Sequence, residues 1–199
     1  MGLSEAVVTC IVGVVGTKGR IILGADSAST DDSFGQNSVA GEKVWKDGEF
    51  LFGGAGSWRG LQLARYAFTP PKRGRVSLDK YMVTSFIDGL RETWKKGGHL
   101  FKHVEEDDLK EEAVGTDLIV GYHGALWVVY GDLQIVRMRD DYVAIGSGTD
   151  SALGALYATK EHGATRSRVL TALRAAATYN AAVRAPFVTV ESGVEEVAA

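Results

Sequence analysis

The stretch "EAVVTCIVGVVGTKGRIILGADS" (residues 5–27) decides how the chain is read. A Val-rich run and an Ile-rich run flank Gly16-Thr17-Lys18-Gly19, which predicts a β-hairpin with glycine at both ends of its turn. The first strand carries Thr9 and Cys10 side by side, close to the start of the chain. Either is ordinary strand filler, since β-branched residues favour strands. Either also has the chemistry of a nucleophile once the residues ahead of it are removed.

Beyond the hairpin, "SASTDDSFGQNSVAG" (27–41) reads as a polar loop. Two short strands follow, "KVWK" (43–46) and "EFLFGG" (49–54), split by the turn dipeptide Asp47-Gly48. From Ser57 the period becomes helical, with Leu61, Leu63, Ala64 and Phe68 apolar, until Pro70-Pro71 forbids continuation. Ser77 is an expected N-cap for a second helix that runs to Gly97-Gly98. Its Met82, Phe86, Leu90 and Trp94 form one apolar stripe. Residues 99–115, with acids from Glu105 to Glu112, read as a solvated loop or exposed helical turn.

Four strand-like runs come next, in "DLIVGY" (117–122), "ALWVVYG" (125–131), "LQIVRM" (133–138) and "YVAIGSG" (142–148). A helix from about Asp150 to His162, stopped by Gly163, precedes another from Thr165 towards Pro186, and "FVTVES" (187–192) ends the pattern as a strand. Segregated strands and helix pairs predict an α+β layered domain. The first two of these runs are apolar on nearly every residue, as in a sheet covered on both faces. Two facing sheets with a helix pair on each outer face account for every element, in one domain without an internal linker.

Composition excludes several classes. A formal net charge of −3 in a 199-residue chain gives no footprint for nucleic acid or an anionic membrane. No apolar run is long enough to span a bilayer. The N-terminus has no basic flank and places Glu5 in its apolar part, unlike a secretory signal, and Ala6 breaks the myristoylation pattern that begins at Gly2. Cys10 is the only cysteine, so no internal disulfide forms, and a reducing, cytoplasmic setting is expected. No metal or cofactor is expected. His99 and His103 have i,i+4 spacing but no third ligand, and read as a surface pair. The acids 105–112 lack the glycine and alternation of a calcium loop.

Taken together, "TCIV…GRIILGADS…KVW…FGGAGSW…AIGSGTDSA" resembles the β-subunits of the proteasome and its bacterial two-ring relative, most closely the bacterial type. The resemblance spans residues 9–192. It implies the four-layer α-β-β-α sandwich of N-terminal-nucleophile hydrolases and a threonine-type endopeptidase. Residues 1–8 become a candidate propeptide and 9–199 the proteasome-like domain. By resemblance Thr9 is the nucleophile, Lys43 the lysine that favours its alkoxide, and Asp26 the partner of that lysine. Ser147 would hydrogen-bond near the Thr9 amine, and the Gly56 amide would receive the oxyanion. The chemistry asks for these types: a threonine hydroxyl needs a base, and a freed α-amine of ordinary pKa near 8 lies within its reach. The family also implies a homo-oligomer of stacked rings, unfolded protein or peptide substrates, and an ATP-dependent unfoldase as partner.

Three departures leave alternatives open. The residue before Thr9 is Val8, where the family has glycine, so an unprocessed, catalytically silent ring or scaffold is one alternative. Counting back from "PFVTV", a family aspartate and serine fall on Asn180 and Val183. Counting back from Gly19 instead makes Cys10 the first residue, giving a cysteine amidohydrolase of the same fold. Trp58 and Arg59 are candidates for a specificity wall or an interface patch, and Trp127 for the core.

Overall fold

The computed structural model describes residues 9–30, 36–39, 43–104, 110–161 and 165–193. The candidate propeptide and the acids 105–109 therefore lie outside the described residues. The opening hairpin is β1 (Ile11–Val15) and β2 (Ile21–Ala25), turning through Thr17–Gly19. Its register pairs Ile11 with Ala25 and Val15 with Ile21. The polar loop that follows contains an antiparallel pair, β3 (Ala28–Thr30) and β4 (Gln36–Ser38). Then come β5 (Val44–Asp47), β6 (Phe50–Gly56) and helix α1 (Trp58–Tyr66).

The second helix, α2, comprises Leu78–Tyr81 and Ile87–Lys96 joined without a break by the π turn Met82–Phe86. Ser77 caps it, its side chain accepting from the Lys80 amide, and the stripe Met82, Phe86, Leu90 and Trp94 is fully buried.

The segment expected to be a loop or helical turn is instead β7 (Phe101–Val104) paired with β8 (Lys110–Ala113). Its backbone register sets Phe101 opposite Ala113 and Val104 opposite Lys110. Glu112 on β8 is held by a two-pronged hydrogen bond from Arg91 of α2, at 2.5 and 2.6 Å. His99 is buried and precedes a strand, which corrects the reading of a surface pair: the i,i+4 spacing to His103 is not helical here.

The remaining elements are β9 (Thr116–Tyr122), β10 (Ala125–Val129), β11 (Ile135–Arg137), β12 (Tyr142–Ile145), α3 (Thr149–Ala158), α4 (Thr165–Tyr179) and β13 (Val188–Glu191). Helix α3 stops earlier than expected. The Thr159 hydroxyl donates back to the Ala155 carbonyl at 2.8 Å, a bond that competes with continued helix.

One antiparallel sheet has the order β12-β1-β2-β13 and the other β11-β10-β9-β6-β5. Strand alternation divides the side chains into three cores. Ile11, Leu23, Val44, Leu51 and Ile119 meet between the sheets. Val12, Val14 and Ile22 pack under α3 and α4 with Leu156, Val169 and Leu173. Phe50, Phe52, Val120 and Trp127 pack under α1 and α2 with Phe86 and Trp94. The result is the four-layer α-β-β-α sandwich. Among the described residues, no helix is long and apolar enough to cross a membrane.

Candidate active site

The hairpin register builds the site. Ile11 faces Ala25, so one step towards the N-terminus Cys10 comes opposite Asp26. The Asp26 amide donates to the Cys10 carbonyl at 3.3 Å, and the Cys10 amide donates to Asp26 Oδ1 at 3.0 Å. On the other side of β1, Ile11 faces Ile145. Two steps further back the chain brings Ser147 beside Thr9. The Thr9 amide donates to Ser147 Oγ at 3.3 Å, and the Ser147 hydroxyl donates to the Thr9 carbonyl at 3.3 Å. The Gly148 amide donates to the same carbonyl at 3.2 Å.

Lys43 enters from the start of β5, in the facing sheet. Its Nζ donates to Thr9 Oγ1 and to Asp26 Oδ1, the latter at 2.9 Å. The Thr9 hydroxyl in turn donates to Asp26 Oδ1 at 3.0 Å. Thr9, Asp26 and Lys43 are 2%, 2% and 4% exposed, so this contact excludes most water and its electrostatics are strong. Burial pulls the Lys43 ammonium below its ordinary value of 10.5, against the upward pull of the Asp26 carboxylate. Asp26 is held from its other oxygen by the amides of Ala28 at 2.9 Å and Arg184 at 3.5 Å.

Cys10 takes the other face. Its thiol belongs to the core beneath α3 and α4 and is fully buried. Burial first, then the Asp26 charge, push it up from 9.0 to about 12, with Lys43 opposing. A thiol so placed is a small apolar filler rather than a thiolate. The side chain beside Lys43 is that of Thr9, and the alternative candidate Cys10 lies on the opposite face of β1.

The remaining expected residues divide. Asn180 is brought into the group, its Nδ2 donating to the Ser147 carbonyl at 2.7 Å. Val183 is core. Gly56 ends β6 at φ 107°, directly before α1. The next amide, Ser57, is already taken by the Gly115 carbonyl at 3.0 Å. Trp58 is half-buried and its indole donates to Ser29 Oγ at 3.4 Å, joining the start of α1 to β3, whereas Arg59 is exposed.

Sequence reasoning missed the backbone contribution. The amides of Ala28 and Arg184 carry no residue-type signal. Gly146 has one in hindsight: it sits at φ 95°, and a Cβ there would lie 2.4 Å from the Thr9 carbonyl oxygen. Only glycine permits that approach.

Comparison with solved structures gives the fold a context. The chain is similar to the BPH of Thiobacillus denitrificans, at 21% identity and a TM-score of 0.74, over 94% of this chain and all of that one. A structure of the same protein in complex with epoxomicin superposes with a TM-score of 0.73 at 20% identity, over the same shares of the two chains. Eukaryotic HslV from Trypanosoma brucei matches at 17% identity and 0.66, over 92% of this chain and 98% of that one. The ancestral β-subunit Anbu from Yersinia bercovieri matches at 14% and 0.63, over 92% and 81%. All are proteasome-type N-terminal-nucleophile hydrolases, and the chain has their fold. No family model matches the sequence, and no curated protein does.

Proposed function

We propose that this chain is a proteasome-like threonine-type endopeptidase, with Thr9 as its nucleophile after loss of residues 1–8. The observation that carries the reading is the meeting of Thr9 Oγ1 with Lys43 Nζ and Asp26 Oδ1 at one buried point. A lysine and an aspartate in the interior carry a desolvation penalty that packing alone gives no reason to accept. They are accounted for if the hydroxyl between them is used.

In this mechanism the freed Thr9 amine accepts the hydroxyl proton as Oγ1 attacks a peptide carbonyl. Lys43, as an ammonium, favours the developing alkoxide and keeps the neighbouring amine neutral by charge repulsion. Asp26 holds Lys43 in place. The Gly56 amide, at the strand end before α1, receives the oxyanion. The amine then returns its proton to the leaving nitrogen, and water resolves the ester on Thr9.

HslV and Anbu are ring-forming proteins, and HslV works with an ATPase. By the same logic the chain would assemble as a homo-oligomer of stacked rings. It would act in the cytoplasm on unfolded chains or peptides fed by an unfoldase. Residues 1–8 are then the propeptide. One observation favours a second reading, an unprocessed scaffold: Val8 precedes the bond to be cut, and its β-branch stiffens that peptide.

Intact mass separates the two. Loss of residues 1–8, with peptide hydrolysis abolished in Thr9→Ala and Lys43→Ala and blocked by epoxomicin, is the expected result. Full-length mass under all conditions, or undiminished turnover in both variants, overturns the peptidase.

A further inference from the structure

Helix α4 ends at Tyr179, and the next residue is fixed from four directions. The Asn180 amide closes the helix on the Ala176 carbonyl at 2.9 Å, and its own carbonyl accepts from Val183 at 3.1 Å. Its side-chain Oδ1 accepts from the Ala182 amide at 2.9 Å. That leaves Nδ2 aimed out of the loop, at 2.7 Å from the Ser147 carbonyl. The two ends of the side chain face one donor and one acceptor, which an amide satisfies and a carboxylate cannot. An ionised aspartate here would set oxygen against oxygen at Ser147.

We propose that Asn180 is a positioning residue: it holds Ser147 against Thr9, and by being uncharged it leaves the Thr9 amine, among the described residues, beside no carboxylate except Asp26. The inference rests on the peptidase reading and deepens it, because it sets the pH range in which that amine works as a base. Ser147 is itself exposed, and among the described residues its hydrogen bonds run to Thr9 and Asn180. Among the described residues, the charges around Thr9 come from two elements. From β2 comes Asp26, already engaged by Thr9, Lys43 and the amides of Cys10, Ala28 and Arg184. From β5 comes Lys43, and from β1 the neutral thiol of Cys10. Asp150, in the first turn of α3, and the Arg184 side chain are exposed to solvent. A neutral group at 180 adds nothing to stabilise an ammonium at Thr9, so the amine is unprotonated at lower pH than with a carboxylate there.

The test compares wild type, Asn180→Ala and Asn180→Asp, each verified by intact mass to begin at Thr9 and by thermal melting to be folded. The dependence of kcat/KM on pH for a fluorogenic peptide reports the free amine. Asn180→Ala is expected to lower kcat by about tenfold or more with KM unchanged and the acid limb in place. Asn180→Asp is expected to move the acid limb up by about half a pH unit or more. Full kcat in the alanine variant, or an unmoved limb in the aspartate variant, overturns the inference while the peptidase stands. A wild type that begins at Thr9 and hydrolyses nothing removes the peptidase and this inference with it.

Discussion

Lys43 Nζ lies 2.9 Å from Asp26 Oδ1, with the two side chains 4% and 0% exposed. Removing one member strands the other's charge. Lys43→Met is expected to destabilise the fold by about 3–5 kcal/mol in urea denaturation, and Lys43→Met with Asp26→Asn by less than the sum of the two single changes. Additive losses would mean that the two groups do not act as a pair.

The same lysine gives a pH dependence with a definite sign. Its folded value is below the unfolded 10.5, so between the two the unfolded chain binds the extra proton. The Lys43 contribution to stability therefore rises as pH climbs through the lowered value and levels off near 10.5. Urea midpoints of wild type minus those of Lys43→Met should climb across that window. A flat difference refutes the assignment.

Cys10 carries the opposite slope. Its thiol is raised from 9.0 to about 12, so the folded chain keeps a proton that the unfolded chain releases. Below pH 9.0 its contribution is fully present; from there to about 12 it is lost as pH rises. Near pH 8 a thiol reagent should label Cys10 only after unfolding. Cys10→Ala should lose about 1–2 kcal/mol of stability while keeping peptide hydrolysis. Native labelling, or loss of turnover in that variant, would favour the thiol as the nucleophile.

Gly146 stands at φ 95° with the Thr9 carbonyl 2.4 Å from where a Cβ would be. Gly146→Ala combines a strained backbone with a clash and is expected to cost about 1–3 kcal/mol or more. Because the displaced group is Thr9 itself, turnover should fall further than stability. A thermal melt and a hydrolysis assay on one preparation check both.

The proposed ring predicts a particle several times the monomer mass in light scattering, since head-to-tail contacts close only with several copies. A monomer at all micromolar concentrations would remove the ring, and with it the enclosed chamber.

Much of this architecture was legible in the chain. The Gly-Thr-Lys-Gly turn and the two apolar runs marked the β1–β2 hairpin, while the register that sets Cys10 opposite Asp26 belongs to the structure. The stripe from Met82 to Trp94 marked α2 and its buried face. The ribbon of β7 and β8 was not legible, because charged strands without an apolar face carry no period. Nor was the burial of His99, which depends on what α2 and the ribbon enclose.

Local pattern thus determined the elements, their order and the layered α+β class, since alternation and capping act within a few residues. The family resemblance, not local pattern, supplied Thr9, Asp26, Lys43 and Ser147 as chemistry without a location. Only the tertiary structure separates the two side chains, Thr9 towards Lys43 and Cys10 towards the helices. Adjacent strand residues point to opposite faces, and which face receives the lysine is fixed by the packing of one sheet on the other, through contacts between residues 34 apart in sequence.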